Sequence, residues 1–213
     1  MHQNKVVLAT HNAGKLRELK ALLSETDLEC KSQAEYRVPE VPETGQTFFE
    51  NALIKARNAC RYSGLPSIAD DSGLVVDCLQ GAPGVHSARY AGGKATDSDN
   101  LKKLLQAVAK FSAEERTARF QCAMVYLRSE SAPSPLISVG TWEGRISMTE
   151  RVWHGFGYDP VFLVVGLKRT SAELEPQEKN RLSHRGQALR QLVEQLRQEY
   201  LFRGQNPTRR STG

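Results

Sequence analysis

The opening of the chain constrains its fold more than any other stretch. The apolar run VVLA within Lys5–Ala9 breaks at the polar turn THNAGK, and Leu16, Leu19, Leu22 and Leu23 follow at helical spacing. A short buried strand, a tight polar loop and an amphipathic helix form the start of an α/β unit, in which the helix folds back onto a sheet. The remainder continues in that style. Thr47–Ala59 predicts a second helix, with Phe48, Ala52, Ile54 and Ala56 on its apolar positions, ended by Gly64-Leu65-Pro66. Ile68-Ala69 lead into what reads as a compact acidic turn, DDSG, with LVVDCL as the next strand. A third helix is expected over Asn100–Ala109, strands over 118–128 and 136–142, and an aromatic-glycine turn with a short strand over Phe156–Val165. Residues 172–180 suit a short helix or its approach, and Gly186–Leu201 a terminal helix. Residues 24–46, with Pro39, Pro42 and Gly45, suit a loop or irregular edge element. One α/β domain over 1–203 and a flexible tail over 204–213 are expected.

Composition excludes several classes. With 213 residues, 39% hydrophobic and 25% charged, the chain suits one globular domain and no disordered or collagen-like polymer. No apolar run approaches the ~20 residues that cross a bilayer, and the opening MHQNKVVLATHN lacks the long apolar region of a signal peptide. A soluble, cytoplasmic chain without a membrane partner is the expectation. Lys and Arg number 29 against 24 Asp and Glu, and three of the basic residues, Arg203, Arg209 and Arg210, follow the last helical pattern. The body is nearly balanced and carries no basic-aromatic stripe, so nucleic acid is not expected as a partner, whereas a small phosphorylated substrate needs only a few converging cations. Cys30, Cys60, Cys78 and Cys122 are far apart and form no zinc-ligand spacing.

The candidate chemistry is spread over four segments. Thr10, Asn12, Gly14 and Lys15 lie between a strand and a helix, where helix N–H groups and a lysine suit phosphate. The loop matches neither the Walker A pattern nor GxGxxG, and an ordinary capped helix explains the same letters. Among Glu43, Glu50, Asp70, Asp71 and Asp77, the adjacent pair Asp70-Asp71 stands out. Such a turn can aim one carboxylate into a cleft, where it suits Mg²⁺, and the other toward backbone donors; an Asx turn is the alternative. GFGYDP at 155–160 offers an aromatic platform and Asp159, or simply a packed turn. Lys179, His184 and Arg185 offer donors just before the terminal helix, with Ser183 as its N-cap. Arg89 and Lys94 are further cations, and His86 has no evident partner.

Taken together, these segments resemble a known family. ATHNAGKLRE at 9–18, TFFENALIKA at 47–56, ADDSGLVVD at 69–77, GAPGVHSARY at 81–90, FGYDP at 156–160 and EKNRLSHRG at 178–186 stand in the same order and spacing. They resemble the inosine triphosphatase or HAM1-like family, pyrophosphatases of non-canonical purine nucleoside triphosphates, over about residues 5–198. The resemblance implies a long central mixed β-sheet with flanking helices, two lobes around a nucleotide-binding cleft, and usually a homodimer. It implies Mg²⁺-dependent hydrolysis of ITP, dITP and XTP to monophosphate and pyrophosphate. Carried over motif by motif, it places Thr10, His11, Asn12, Ala13, Gly14, Lys15 and Lys55 at phosphate, with Ser72 beside the substrate. Asp71 takes the catalytic acidic position and, with Glu43, the metal. Phe156, Gly157, Tyr158 and Asp159 would hold the base, and Lys179, His184 and Arg185 would complete the site.

The chain departs from the family pattern before FGYDP, where it reads ERVWH over 150–154 in place of a glycine-rich approach, and at Val165, where relatives often have proline. The first departure bears on base preference. It leaves room for a broader nucleotide phosphatase or pyrophosphatase acting on modified pyrimidine triphosphates, while a non-catalytic nucleotide-binding module is the reading without turnover.

Overall fold

A computed structural model of the chain describes residues 4–24, 26–151 and 154–204. Val152 and Trp153 of the departing loop, and the tail beyond Gly204, lie outside the described residues. One six-stranded mixed sheet organises the fold, in the order β2-β1-β3-β4-β5-β6. Strands β1 (Lys5–Leu8), β2 (Glu29–Ser32) and β3 (Ser67–Val76) are mutually parallel where they pair. Strands β4 (Thr117–Leu127), β5 (Leu136–Ile146) and β6 (Phe162–Val164) continue the sheet antiparallel.

Local sequence explains the helices that frame the site. Helix α1 (Ala13–Leu23) starts at Asn12, whose side chain accepts a hydrogen bond from the Lys15 amide. Helix α2 (Phe48–Ser63) begins with a reciprocal capping box between Thr47 and Glu50 and ends where Gly64 takes the left-handed conformation at φ 66°. Its buried face is small, with Ala52, Ala56, Ala59 and Cys60, so the helix lies close on Val7, Ala69, Val125 and Leu127. Helix α3 (Asp97–Val108) starts three residues before the expected Asn100, because Thr96 and Asp99 form a second capping box. Helices α4 (Pro176–Leu182) and α5 (His184–Gly204) abut at Ser183, whose hydroxyl accepts from the Gly186 amide.

The cores explain why long strands are needed. Residues 68 and 69 of β3 belong to apolar clusters built with α5 and α2, whereas Leu74 and Val76 belong to another, with α3, Phe120, Trp142 and Phe162. The ten residues of β3 span ~33 Å and so pass through both lobes. Asp70-Asp71-Ser72-Gly73 fall at the join, where the apolar run stops. This corrects the expected acidic turn: DDSG is the middle of a continuous strand, paired residue by residue with Met124, Ala123, Cys122 and Gln121 of β4. Backbone pairing across ten consecutive positions outweighs the turn preference of Asp, Ser and Gly. The strand ends earlier than expected at the other side, because Asp77–Leu79 turn as a 3-10 segment. Strand β5 runs four residues beyond Trp142 and takes in Glu143–Arg145.

Candidate active site

Because side chains alternate along a strand, the continuous β3 sends its two aspartates to opposite faces of the sheet. Asp71 points to the α2 side. Lys55, from the third turn of α2, places its ammonium 3.2 Å from Asp71 Oδ1 and 3.0 Å from Glu43 Oε1. Asn51, one turn earlier and wholly buried, donates from Nδ2 to Asp71 Oδ2 at 3.3 Å, while its Oδ1 accepts from the Gly45 amide. That second bond ties the Glu43 loop to the same helix. Arg89 reaches Glu43 from the far wall, at 3.7 Å. Burial raises the Asp71 carboxyl above its ordinary value, more than Lys55 and Lys15 draw it down. Burial alone would depress Lys55, but the Asp71, Asp70 and Glu43 carboxylates hold it above the usual lysine value.

Asp70 points to the α1 and α5 side. Its Oδ2 lies 3.0 Å from Lys15 Nζ, 3.3 Å from Arg185 Nε and 3.4 Å from Ser72 Oγ, and the Arg185 Nη2 donates to Ser72 at 3.0 Å. Burial would raise this carboxyl, but the Lys15 and Arg185 cations outweigh it and hold Asp70 far below the carboxylate range. The expectation that the second aspartate meets backbone donors is corrected here: alternation carries it to side-chain cations instead. From Arg185 the network continues to Glu18, then from Glu18 to Lys179 at 3.0 Å, and from Lys179 to Asp159 at 2.7 Å.

The aromatic turn is held by that network. Asp159 accepts from the Phe156 amide at 2.9 Å through Oδ2 and from the Ser171 hydroxyl at 2.8 Å through Oδ1, so its carboxylate is spent on the turn and Lys179. Gly157 donates to Asp97 at 2.8 Å, and the Tyr158 hydroxyl to the Ser87 carbonyl at 2.7 Å. The Phe156 ring stands over Lys179 Nζ at 4.8 Å and Arg185 at 5.8 Å. A Cβ on Gly14 would come to 3.0 Å of that ring, so the glycine lets the first turn of α1 sit directly beneath it. His184 stacks on Phe120 with centroids 4.8 Å apart. Burial, with Arg185 and Lys179 nearby, keeps its imidazole well below 6.5 and therefore neutral, and its buried Nδ1 has no partner among the described residues.

These side chains enclose two joined spaces. An open groove of about 610 Å³ is bordered by Thr10, His11, Glu43, Lys55, Asp71 and Arg89. A smaller, more apolar cleft of about 90 Å³ is bordered by Phe120, Phe156–Asp159, Lys179, His184 and Arg185. Asn12, Lys15 and Ser72 border both. Of the residues singled out in the sequence, Ala13, Gly14, Glu50, Asp70 and Asp77 border neither: Ala13 and Gly14 form the first turn of α1, Glu50 caps α2, Asp70 lies behind Lys15 and Arg185, and Asp77 pairs with Arg119. Lys94 and His86 are exposed. Glu18, Asn51, Asp97 and Ser87 were not foreseen. Glu18 had a signal, since it lies three positions after Lys15 and so on the same helix face; Ser87 lies within the GAPGVHSARY motif, and Asp97 had none.

A model of the Ham1 family matches residues 6–195. The chain belongs to the Ham1 family. It is 56% identical over 192 residues to the dITP/XTP pyrophosphatase of Vibrio parahaemolyticus, covering 90% of this chain and 96% of that protein. The enzyme of the same name from Escherichia coli O157:H7 is 53% identical over 193 residues, 91% of this chain and 98% of that one. Among solved structures, a HAM1 protein from Coxiella burnetii superposes with a TM-score of 0.84 at 49% identity, covering 91% of this chain and 98% of that one. A Staphylococcus aureus Ham1 protein gives 0.80 at 36% identity, over 92% and 99% of the two chains. The six-stranded mixed sheet with flanking helices is thus the Ham1 architecture.

Proposed function

We propose that this chain hydrolyses ITP, dITP and XTP to the nucleoside monophosphate and pyrophosphate, and so clears aberrant purines from the nucleotide pool. The observation that carries the reading is the meeting of Glu43 and Asp71 on the single Lys55 ammonium, in a groove continuous with an aromatic-walled cleft. Relatives named for dITP and XTP hydrolysis support it over nearly the whole chain.

In the proposed reaction a water oxygen bonds to the α-phosphorus as the bond from that phosphorus to the bridging oxygen breaks, and pyrophosphate leaves. Lys15 and Lys55 neutralise the phosphate chain and orient it. Asp71, its carboxyl raised by burial, is suited to receive a proton from the attacking water. Asn51 fixes the Asp71 carboxylate through Oδ2, while Oδ1 meets the Lys55 ammonium at the groove.

Two carboxylates converging on one point suit Mg²⁺, which takes hard oxygen ligands and commonly completes its shell with substrate phosphates and water. Among the described residues no group of three or more His, Cys, Asp or Glu side chains that could hold a metal ion is found. Glu43 and Asp71 would hold the ion, and when bound it neutralises phosphate charge and acidifies attached water.

In the cleft, Phe156 stacks on the base, and the neutral His184 with Arg185 and Lys179 faces its edge. Inosine and xanthine present an O6 acceptor where adenine has an amino donor, and lack the N2 amino group of guanine. A buried polar edge rejects the mismatched base by leaving groups unpaired. A homodimer and a cytoplasmic location belong to the same proposal and rest on the family resemblance. A kinetic panel with pyrophosphate detection tests it: ITP, dITP and XTP are expected to exceed ATP and GTP by at least roughly 100-fold in kcat/KM. Orthophosphate as first product would refute the cleavage, and equal rates for ITP and GTP would refute the selectivity.

A further inference from the structure

We infer that Asp70 is a positioning residue that makes phosphate binding and nucleobase binding cooperative, by exchanging one cation partner when substrate arrives. The inference rests on the proposed nucleotide site and adds how its two halves communicate.

The geometry is unusual for a carboxylate with no exposed surface to speak of. Asp70 is 1% exposed, yet one oxygen, Oδ2, serves Lys15, Arg185 and the Ser72 hydroxyl together, while Oδ1 has no partner among the described residues. An ionised carboxylate can accept about four hydrogen bonds. Three donors crowded on one oxygen therefore share it at 3.0–3.4 Å, at or beyond the long end of charge-assisted bonds.

The two cations belong to different compartments. Lys15 stands in the first turn of α1, with 14% of its side chain exposed, and borders both groove and cleft. Its flexible stem lets the ammonium swing to a phosphate oxygen. Arg185 is 3% exposed, borders only the cleft, and is held at its other edge by Glu18 and Ser72. It cannot leave. When phosphate takes Lys15, Asp70 loses one of its two competing cations, and its charge falls on Arg185 alone. The guanidinium, already held on three sides by Asp70, Glu18 and Ser72, is then drawn more firmly by the undivided Asp70 charge where a base edge meets it. By linkage, a base that engages the fixed Arg185 favours release of Lys15 to phosphate to the same degree.

The test is calorimetric titration of the full chain with inosine and with inorganic pyrophosphate, each alone and each in the presence of the other, in magnesium buffer. In the wild type, saturating pyrophosphate is expected to tighten inosine by about tenfold, within the usual range for coupled sites. In Asp70→Asn both ligands still bind and the factor falls to within about twofold of unity. Because a buried substitution can prevent folding, Lys15→Gln supplies a second arm. It removes the exchangeable cation near the surface, and inosine alone should then bind about as tightly as it binds the wild type with pyrophosphate present. Coupling that persists in either variant overturns the inference. So does independent binding in a wild type that hydrolyses ITP, which leaves the proposed function standing. A wild type that binds neither ligand and does not hydrolyse ITP overturns both.

Discussion

Asp70 and Asp71 are neighbours in sequence and differ in nearly every physical respect. Asp71 faces the open groove, shares Lys55 with Glu43, and has its carboxyl raised by burial. Asp70 faces the opposite side, is more deeply buried, and has its carboxyl lowered by Lys15 and Arg185 despite that burial. The fold favours ionised Asp70 and disfavours ionised Asp71. One aspartate therefore belongs to the framework of the site, and the other is kept basic at the wall of the groove at some expense of stability, as groups used in proton transfer commonly are. A single residue of strand alternation separates the two roles.

The largest effect should come from the groove side. Asp71→Asn is expected to lower kcat by at least ~100-fold, the scale of lost acid-base chemistry, with the circular dichroism spectrum retained. Its urea midpoint at pH 7 should stay level or rise, since a carboxyl raised by the fold opposes stability once ionised. In the wild type, kcat/KM, which reports groups of the free enzyme, should fall on the acid side through a value above the ordinary 3.8 of aspartate. Near-normal turnover in Asp71→Asn would erase the distinction between the two aspartates.

The opposite face should show the reverse pattern. Asp70→Asn is expected to cost ~3 kcal/mol at pH 7 in urea unfolding, the lower end for breaking a buried ion pair. Because the native carboxyl lies below its unfolded 3.8, its contribution is fully present above about pH 4 and is lost as pH falls toward the native value. The gap between wild type and Asp70→Asn should thus narrow below pH 4, and a gap that stays constant with pH would contradict the assignment. The smallest effect belongs to the cleft wall: Phe156→Ala should raise KM for ITP by about tenfold with little change in kcat, as expected for lost stacking on one base. A fall in kcat with unchanged KM would place Phe156 in the chemistry of the groove.

Much of the fold was legible because its signals are local. The strand-loop-helix opening and helices α2 and α5 are periodic: Leu19, Leu23, Ala52, Ala56, Leu189, Leu192 and Leu196 are buried as that periodicity implies, whereas Leu16, Leu22, Phe48 and Ile54 are only partly so. The helix starts at α2 and α3 were set by capping pairs, Thr47 with Glu50 and Thr96 with Asp99; the first fell within one residue of expectation and the second was missed by three. DDSG was misread because its residue types prefer turns, and only the ten-residue ladder with β4 shows that the strand continues. Asn51 sits inside a helical motif and gives no sign of its link to Asp71, twenty residues later in the chain.

By itself the sequence determined which side chains are available and which stand one helical turn apart: Lys15 above Glu18, Asn51 above Lys55. The ordered motifs also identified the family. Only the tertiary structure decided which aspartate meets which cation, because that depends on strand alternation and on two helices approaching opposite faces of one sheet. It alone joined Lys179 to Glu18 and Arg185 to Asp70, across separations of 161 and 115 positions. Contacts of that range carry no local pattern, since they form when buried apolar faces fix the helices and leave these charges no solvent to pair with instead.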